Sequence, residues 1–144
     1  MTDLLKHAQG LLASQPFSVL IGTEIVRYGD GKVQMQLCIS DSITQQHGFV
    51  HGGVLAYLAD NAMTFAAGQA MGGGVVTSEI KINYIKPAIG QMLIARAWTL
   101  NSGRRQGVSR CDVFTVAEGT ERLCAAAQGT ITKLPYDPEI GKTP

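Results

Sequence analysis

The chain has 144 residues, 45% of them hydrophobic and 16% charged, with a formal net charge of +1. That length supports one domain with one core, and the near balance of charge argues against both a nucleic-acid-binding stripe and an acidic tail. The three cysteines, Cys38, Cys111 and Cys124, have no C-x-x-C spacing, which argues against a disulfide framework or a zinc site.

Residues 2–14 are predicted to form a short helix capped by Thr2 or Asp3, with Leu4, Leu5, Ala8, Leu11 and Leu12 on its apolar side. Leu4-Leu5 is followed at once by Lys6-His7, so no secretory leader is expected and the default location is the cytoplasm. Pro16 is predicted to end the helix, and residues 17–21 to cross one mouth of the barrel-like sheet, most plainly as a core plug. Residues 23–28 and 32–39 read as a hairpin about Gly29-Asp30-Gly31. In its second strand Val33, Met35, Leu37 and Ile39 alternate inward. A polar loop, 40–50, leads to a long helix ending at Gly72-Gly73-Gly74. Four strands are expected after it, over 75–86, 91–100, 106–117 and 122–134, with short turns that make neighbours antiparallel. Residues 135–144, with three prolines, read as a loose tail.

The helix is the centre of the chain. From Val54 to Met71 nearly every residue is apolar or small, which marks a buried helix. Its Asp60, Asn61, Thr64 and Gln69 favour a protein core over a membrane span. Asp60 stands in its middle, and an unpaired buried charge is costly. Asp60 is therefore either an acid paired with an unseen cation or a carboxylate kept as a base or nucleophile. Gly52 and Gly53 open the helix, where orphan N–H groups sit at the positive end of the dipole and can stabilise an oxyanion. Gly52 and Asp60 are eight residues apart, roughly 12 Å along one helix. Both cannot reach one carbonyl from a single chain, so joint action demands a two-fold pair of chains.

His51-Gly52-Gly53 followed by Asp60-Asn61-Ala62 resembles the hotdog-fold acyl-CoA thioesterases of the phenylacetate-pathway and 4-hydroxybenzoyl-CoA type. Asn83-Tyr84-Ile85-Lys86-Pro87-Ala88 with Gly90, the Gly103-Arg104 turn and Ala127-Gln128-Gly129-Thr130 extend the resemblance to most of residues 17–134. It implies an α+β hotdog fold, an antiparallel sheet of five to six strands wrapped around one long helix, self-associated as a dimer or dimer of dimers. It implies hydrolysis of an aryl or medium-chain acyl-CoA without a cofactor, a metal, nucleic acid or a membrane.

On that resemblance Asp60 is the base or nucleophile, in apolar surroundings that sharpen its basicity. The Gly52 N–H of the other chain polarises the thioester oxygen, aided by Gln45, which could equally be a plain loop amide. Thr64, one turn after Asp60, orients the attacking water or bonds back to the helix. Ser78 matches a position whose hydroxyl reaches the same water. Gly53 and Asn61 would contact substrate near the thioester, and His51 would be structural or lie loosely beside the thioester. Lys86, Arg104 and Arg105 would meet the coenzyme A phosphates or else stay solvated. Pocket size would depend on Phe17, Tyr57, Met63 and Phe65. Two other readings compete: an acyl-CoA binding or sensing module without turnover, and a dehydratase or hydratase, which would need a histidine that this helix lacks.

Overall fold

The computed structural model describes residues 2–135, so the expected tail, apart from Pro135, lies outside the described residues. Helix α1 spans Asp3–Ala13 and starts where the Thr2 hydroxyl accepts from the Leu5 N–H at 3.3 Å. Ala8 and Leu12 are buried against strand β1 (Glu24–Gly29), whereas Leu4 is exposed. Pro16 does not merely end α1. It opens a second helix, α2 (Pro16–Ile21), at the first position, where a missing N–H costs nothing. Residues 17–21 are therefore no core plug: Phe17, Val19 and Leu20 are exposed, and the buried position belongs to Ser18. A six-residue helix has one inward face, and here a polar residue takes it.

Strands β1 and β2 (Lys32–Cys38) form the expected hairpin, with Asp30 and Gly31 both at positive φ, as a two-residue turn requires. Val33, Met35 and Leu37 are buried as the alternation predicts. The central helix α3 spans Gly52–Met71. The remaining strands are β3 (Val75–Tyr84), β4 (Met92–Ser102), β5 (Gln106–Ala117) and β6 (Thr120–Lys133). All six pair antiparallel in one sheet, in the order β1-β2-β4-β5-β6-β3.

The sheet wraps α3, which packs on every strand from β2 to β6. Small residues let it lie close. A Cβ at Gly129 of β6 would stand 2.8 Å from the Glu79 carbonyl and 3.4 Å from Met63 of α3. Ala59, Ala62, Ala66 and Ala67 are fully buried on the helix, facing a core that includes Met35, Leu93, Val113 and Ile131. This is the hotdog architecture that the resemblance implied. Gly90, before β4, sits at φ +155, where a Cβ would meet the Val116 carbonyl at 2.3 Å, so only glycine fits.

The two sheet edges differ. Strand β1 is covered by α1, which also reaches it through Gln9 Nε2 donating to the Ile25 carbonyl at 3.0 Å. Among the described residues strand β3 pairs only with β6, and it is exposed along most of its length. No helix among the described residues is long and apolar enough to cross a membrane.

Candidate active site

The loop before α3 is a small closed structure. Thr44 and Val50 form a bridge, the Gln45 N–H donates to the Phe49 carbonyl at 2.9 Å, and the His51 N–H donates to Ile43 at 2.9 Å. These bonds fix where the helix begins. His51 is the N-cap: its Nδ1 accepts from the Gly53 N–H at 2.9 Å. Gly53 therefore departs from expectation, because its N–H is taken and is not open to a ligand. A Cβ there would lie 3.0 Å from that same Nδ1. His51, read as structural or loosely placed near the thioester, is engaged within the chain as a cap. The Gly52 N–H, by contrast, has no acceptor among the described residues. One orphan donor at the positive helix end is what an oxyanion needs.

Tyr84, at the end of β3, roofs this donor. Its hydroxyl donates to the Gly52 carbonyl at 3.1 Å, and a Cβ on Gly52 would meet its ring at 3.4 Å. Tyr84, Gly52, Phe49 and Lys86 line a cavity of about 300 Å³. Gln45 folds onto its own turn, with Oε1 accepting from the His47 N–H at 2.8 Å. Its Nε2 has no acceptor among the described residues and remains free to donate.

Asp60 is half-buried two turns along the helix. The Thr77 hydroxyl donates to its Oδ1 at 2.5 Å. Thr64 donates to the Asp60 carbonyl at 2.9 Å and lies 3.0 Å from the Thr77 hydroxyl. Thr64 thus makes the backbone bond that was one of its two readings, and it also supports Thr77. Oδ2 of Asp60 has no partner among the described residues, so the carboxylate is anchored through one oxygen and free at the other.

Ser78 does not face Asp60 within the chain. It donates to the Thr130 carbonyl and accepts from the Thr132 hydroxyl, both at 3.1 Å. The cause is a β-bulge: Thr77 pairs with Ile131 and Glu79 with Thr130, leaving Ser78 unpaired. One extra residue reverses which side chains face the helix. Thr77 was the residue missed, and unbroken alternation back from Ile82 and Tyr84 could not have found it.

Asn61, expected to contact substrate, is engaged within this chain. Its Nδ2 donates to Gln15 Oε1 at 3.0 Å, Tyr57 Oη at 3.1 Å and Ser18 Oγ at 3.3 Å. Tyr57 in turn donates to Thr23 at 3.1 Å. This buried, satisfied network joins α2 to α3. It also occupies Tyr57, whose ring meets Phe17 edge-on, and Met63 is fully buried in the core. Of the four expected pocket residues only Phe65 lines one of the described cavities.

Lys86, Arg104 and Arg105 are all exposed. Within one chain they stand at opposite ends of the sheet. Lys86 follows the end of β3, beside Cys124, while the Arg105 carbonyl accepts from the Lys133 N–H near the start of β3. Ten residues of strand separate these ends, roughly 30 Å. No single chain can bring the three cations to one phosphate group.

The cysteines stand outside this arrangement. Burial pushes the Cys124 thiol up to about 11 and the Cys111 thiol higher still, so neither offers a thiolate. Among the described residues no cluster of His, Cys, Asp or Glu could hold a metal ion.

Residues 47–121, just over half of the chain, match the family model described as the Thioesterase superfamily. The chain is 28% identical to the acyl-coenzyme A thioesterase 13 of Pongo abelii, over 92% of this chain and 95% of that protein. It is 27% identical to the 1,4-dihydroxy-2-naphthoyl-CoA hydrolase of Listeria monocytogenes, over 77% and 89% of the two chains. A crystal structure of a thioesterase family protein from Silicibacter pomeroyi superposes with a TM-score of 0.85 at 29% identity, covering 88% of this chain and 95% of the other.

Proposed function

We propose, from the premise that this chain belongs to the thioesterase superfamily and is a thioester hydrolase, that it cleaves aryl or medium-chain acyl-CoA thioesters in a two-fold pair of chains. Asp60 is the base in this reading. The carboxylate takes a proton from water as the water oxygen attacks the thioester carbon. The Gly52 N–H of the other copy holds the resulting oxyanion, with the free Gln45 amide as a second donor. Collapse breaks the carbon–sulfur bond, and the leaving thiolate takes the proton from Asp60. Thr77 positions the carboxylate through Oδ1, which leaves Oδ2 for the water. If the carboxylate itself attacked, expelling the thiolate to form a mixed anhydride, attack of ¹⁸O-water on the Asp60 carbonyl of that anhydride in a single turnover would leave the label on Asp60.

The observation that carries this reading is a pair of half-sites on one helix. A lone amide donor at Gly52 and a one-side-free carboxylate at Asp60 are separated by eight residues. The open edge of β3 supplies a place for a second copy, with the apolar Val76, Ile80 and Tyr84 exposed along it. Antiparallel alignment of two such edges brings Gly52 of one chain towards Asp60 of the other. The same two-fold brings Lys86 of one copy towards Arg104 and Arg105 of the other, as a phosphate clamp.

A mixing experiment tests this directly. Asp60→Asn lowers kcat by about 10³-fold, within the range for loss of a general base. Gly52→Pro removes the one free N–H at a position where proline is tolerated. The preceding His51 already has the extended ψ of 134° that a following proline demands. Each variant alone is inactive, and an equal mixture, after exchange of subunits, recovers about a quarter of wild-type activity, because half the dimers carry one intact site of two. No recovery between exchanging, folded variants overturns the shared site. Tight acyl-CoA binding by wild type with no turnover would favour the binding-module reading.

A further inference from the structure

A second cavity, of about 400 Å³, opens between α1, the second half of α3 and the start of β3. Thr64 forms part of its wall; it donates to the Asp60 backbone carbonyl and stands 3.0 Å from the Thr77 hydroxyl that holds the Asp60 carboxylate. Gly68, also in the wall, lies about 12 Å beyond Asp60 along the helix axis. A carbonyl held at Asp60 therefore has this cavity as the space one to two turns further along.

The wall is mixed. Leu11, Phe65 and Val75 are apolar, while the polar groups divide into spent and free. Ser14 Oγ donates to the Leu11 carbonyl at 2.7 Å, and Gln15 Oε1 accepts from Ser18 and Asn61. The Tyr28 hydroxyl has no partner among the described residues. Its ring is fixed edge-on against Phe65, with centroids 6.2 Å apart at 86°. Tyr28 is half-buried, and burial raises its phenol above the usual value, so it is protonated at neutral pH and can donate or accept. His7 lies beside it in the cavity wall, exposed.

We infer that this cavity seats the acyl group and that the Tyr28 hydroxyl is a specificity determinant, selecting acyl groups that carry a hydrogen-bonding substituent at the end remote from the thioester. The inference rests on the hydrolase site proposed above. A wholly alkyl or unsubstituted aryl group would cover the hydroxyl and leave it unpaired. A terminal hydroxyl on the acyl group would satisfy it.

Matched pairs test the inference: 8-hydroxyoctanoyl-CoA against octanoyl-CoA, and 4-hydroxybenzoyl-CoA against benzoyl-CoA. Wild type is expected to favour the hydroxylated member of a pair by roughly tenfold in kcat/KM. Tyr28→Phe keeps the ring and its contact with Phe65. It is expected to abolish that preference through KM, which rises for the hydroxylated member and falls for the unsubstituted one. Equal rates within both pairs, or a preference that survives Tyr28→Phe, overturns the inference. If wild type hydrolyses none of the four, the hydrolase reading fails instead. Calorimetry with the four free acids then reads the same preference without turnover. Tighter binding of the hydroxylated acids that is lost in Tyr28→Phe supports the cavity assignment, and equal or absent binding overturns it.

Discussion

Strands β2 and β3 both carry apolar side chains at alternate positions, and only β2 buries them. Val33, Met35 and Leu37 are at most 2% exposed, while Ile80 and Tyr84, which share a face beyond the bulge, are 37% and 55% exposed. The difference lies in neighbours rather than in composition. Both lie against α3, but β2 sits between β1 and β4, whereas β3 has β6 on one side and no strand among the described residues on the other. Alternation in a sequence therefore reports which residues share a face. It does not report whether that face is finished within one chain. The strand that is unfinished here is also the one that carries Thr77 and Tyr84, the neighbours of Asp60 and Gly52.

Truncation experiments break or sharpen this contrast. Met35→Ala removes a fully buried side chain and is expected to cost about 3 kcal/mol in denaturant unfolding. Thr77→Val keeps a β-branched shape in the strand but removes the donor to Asp60. Stability should change little, while kcat falls about tenfold with KM held, and Thr77→Ser should restore most of it. Ile80→Ala is expected to cost less than about 1 kcal/mol in the unfolding of an isolated chain. Its effect should appear in sedimentation, as weaker self-association. If Ile80→Ala destabilises a monomeric chain as much as Met35→Ala does, the contrast between the strands is wrong. The smallest effect concerns cysteine. Cys38, exposed on β2, should react quickly with a thiol reagent at pH 8, while Cys111 and Cys124, with raised thiols, react only after denaturation. One fast thiol per folded chain is the expected count.

The fold was legible because its signals are local and periodic. The run from Val54 to Met71 marks a buried helix, and turn residues such as Asp30-Gly31 and Glu118-Gly119 place the hairpins. The site was legible in part. Asp60 is conspicuous as the one acid in an apolar helix, and Gly52 as the residue that opens it. Three features escaped: two depend on contacts that sequence spacing does not encode, and the third is a local cap made by a residue outside the usual capping set. The bulge at Ser78 exchanged Thr77 for Ser78 beside the carboxylate. Asn61 joined a network with Gln15, 46 residues away. His51 reached forward to occupy the amide of Gly53, leaving one open glycine of two.

The bare border of β3 also bears on how the molecule must be made. A freshly folded monomer displays unpaired backbone donors and acceptors beside oily side chains, and any extended peptide of suitable register can zip onto such a border. On the paired reading, a solitary chain at high concentration is in danger of clumping before its mate arrives, so yield should fall as the folding concentration rises.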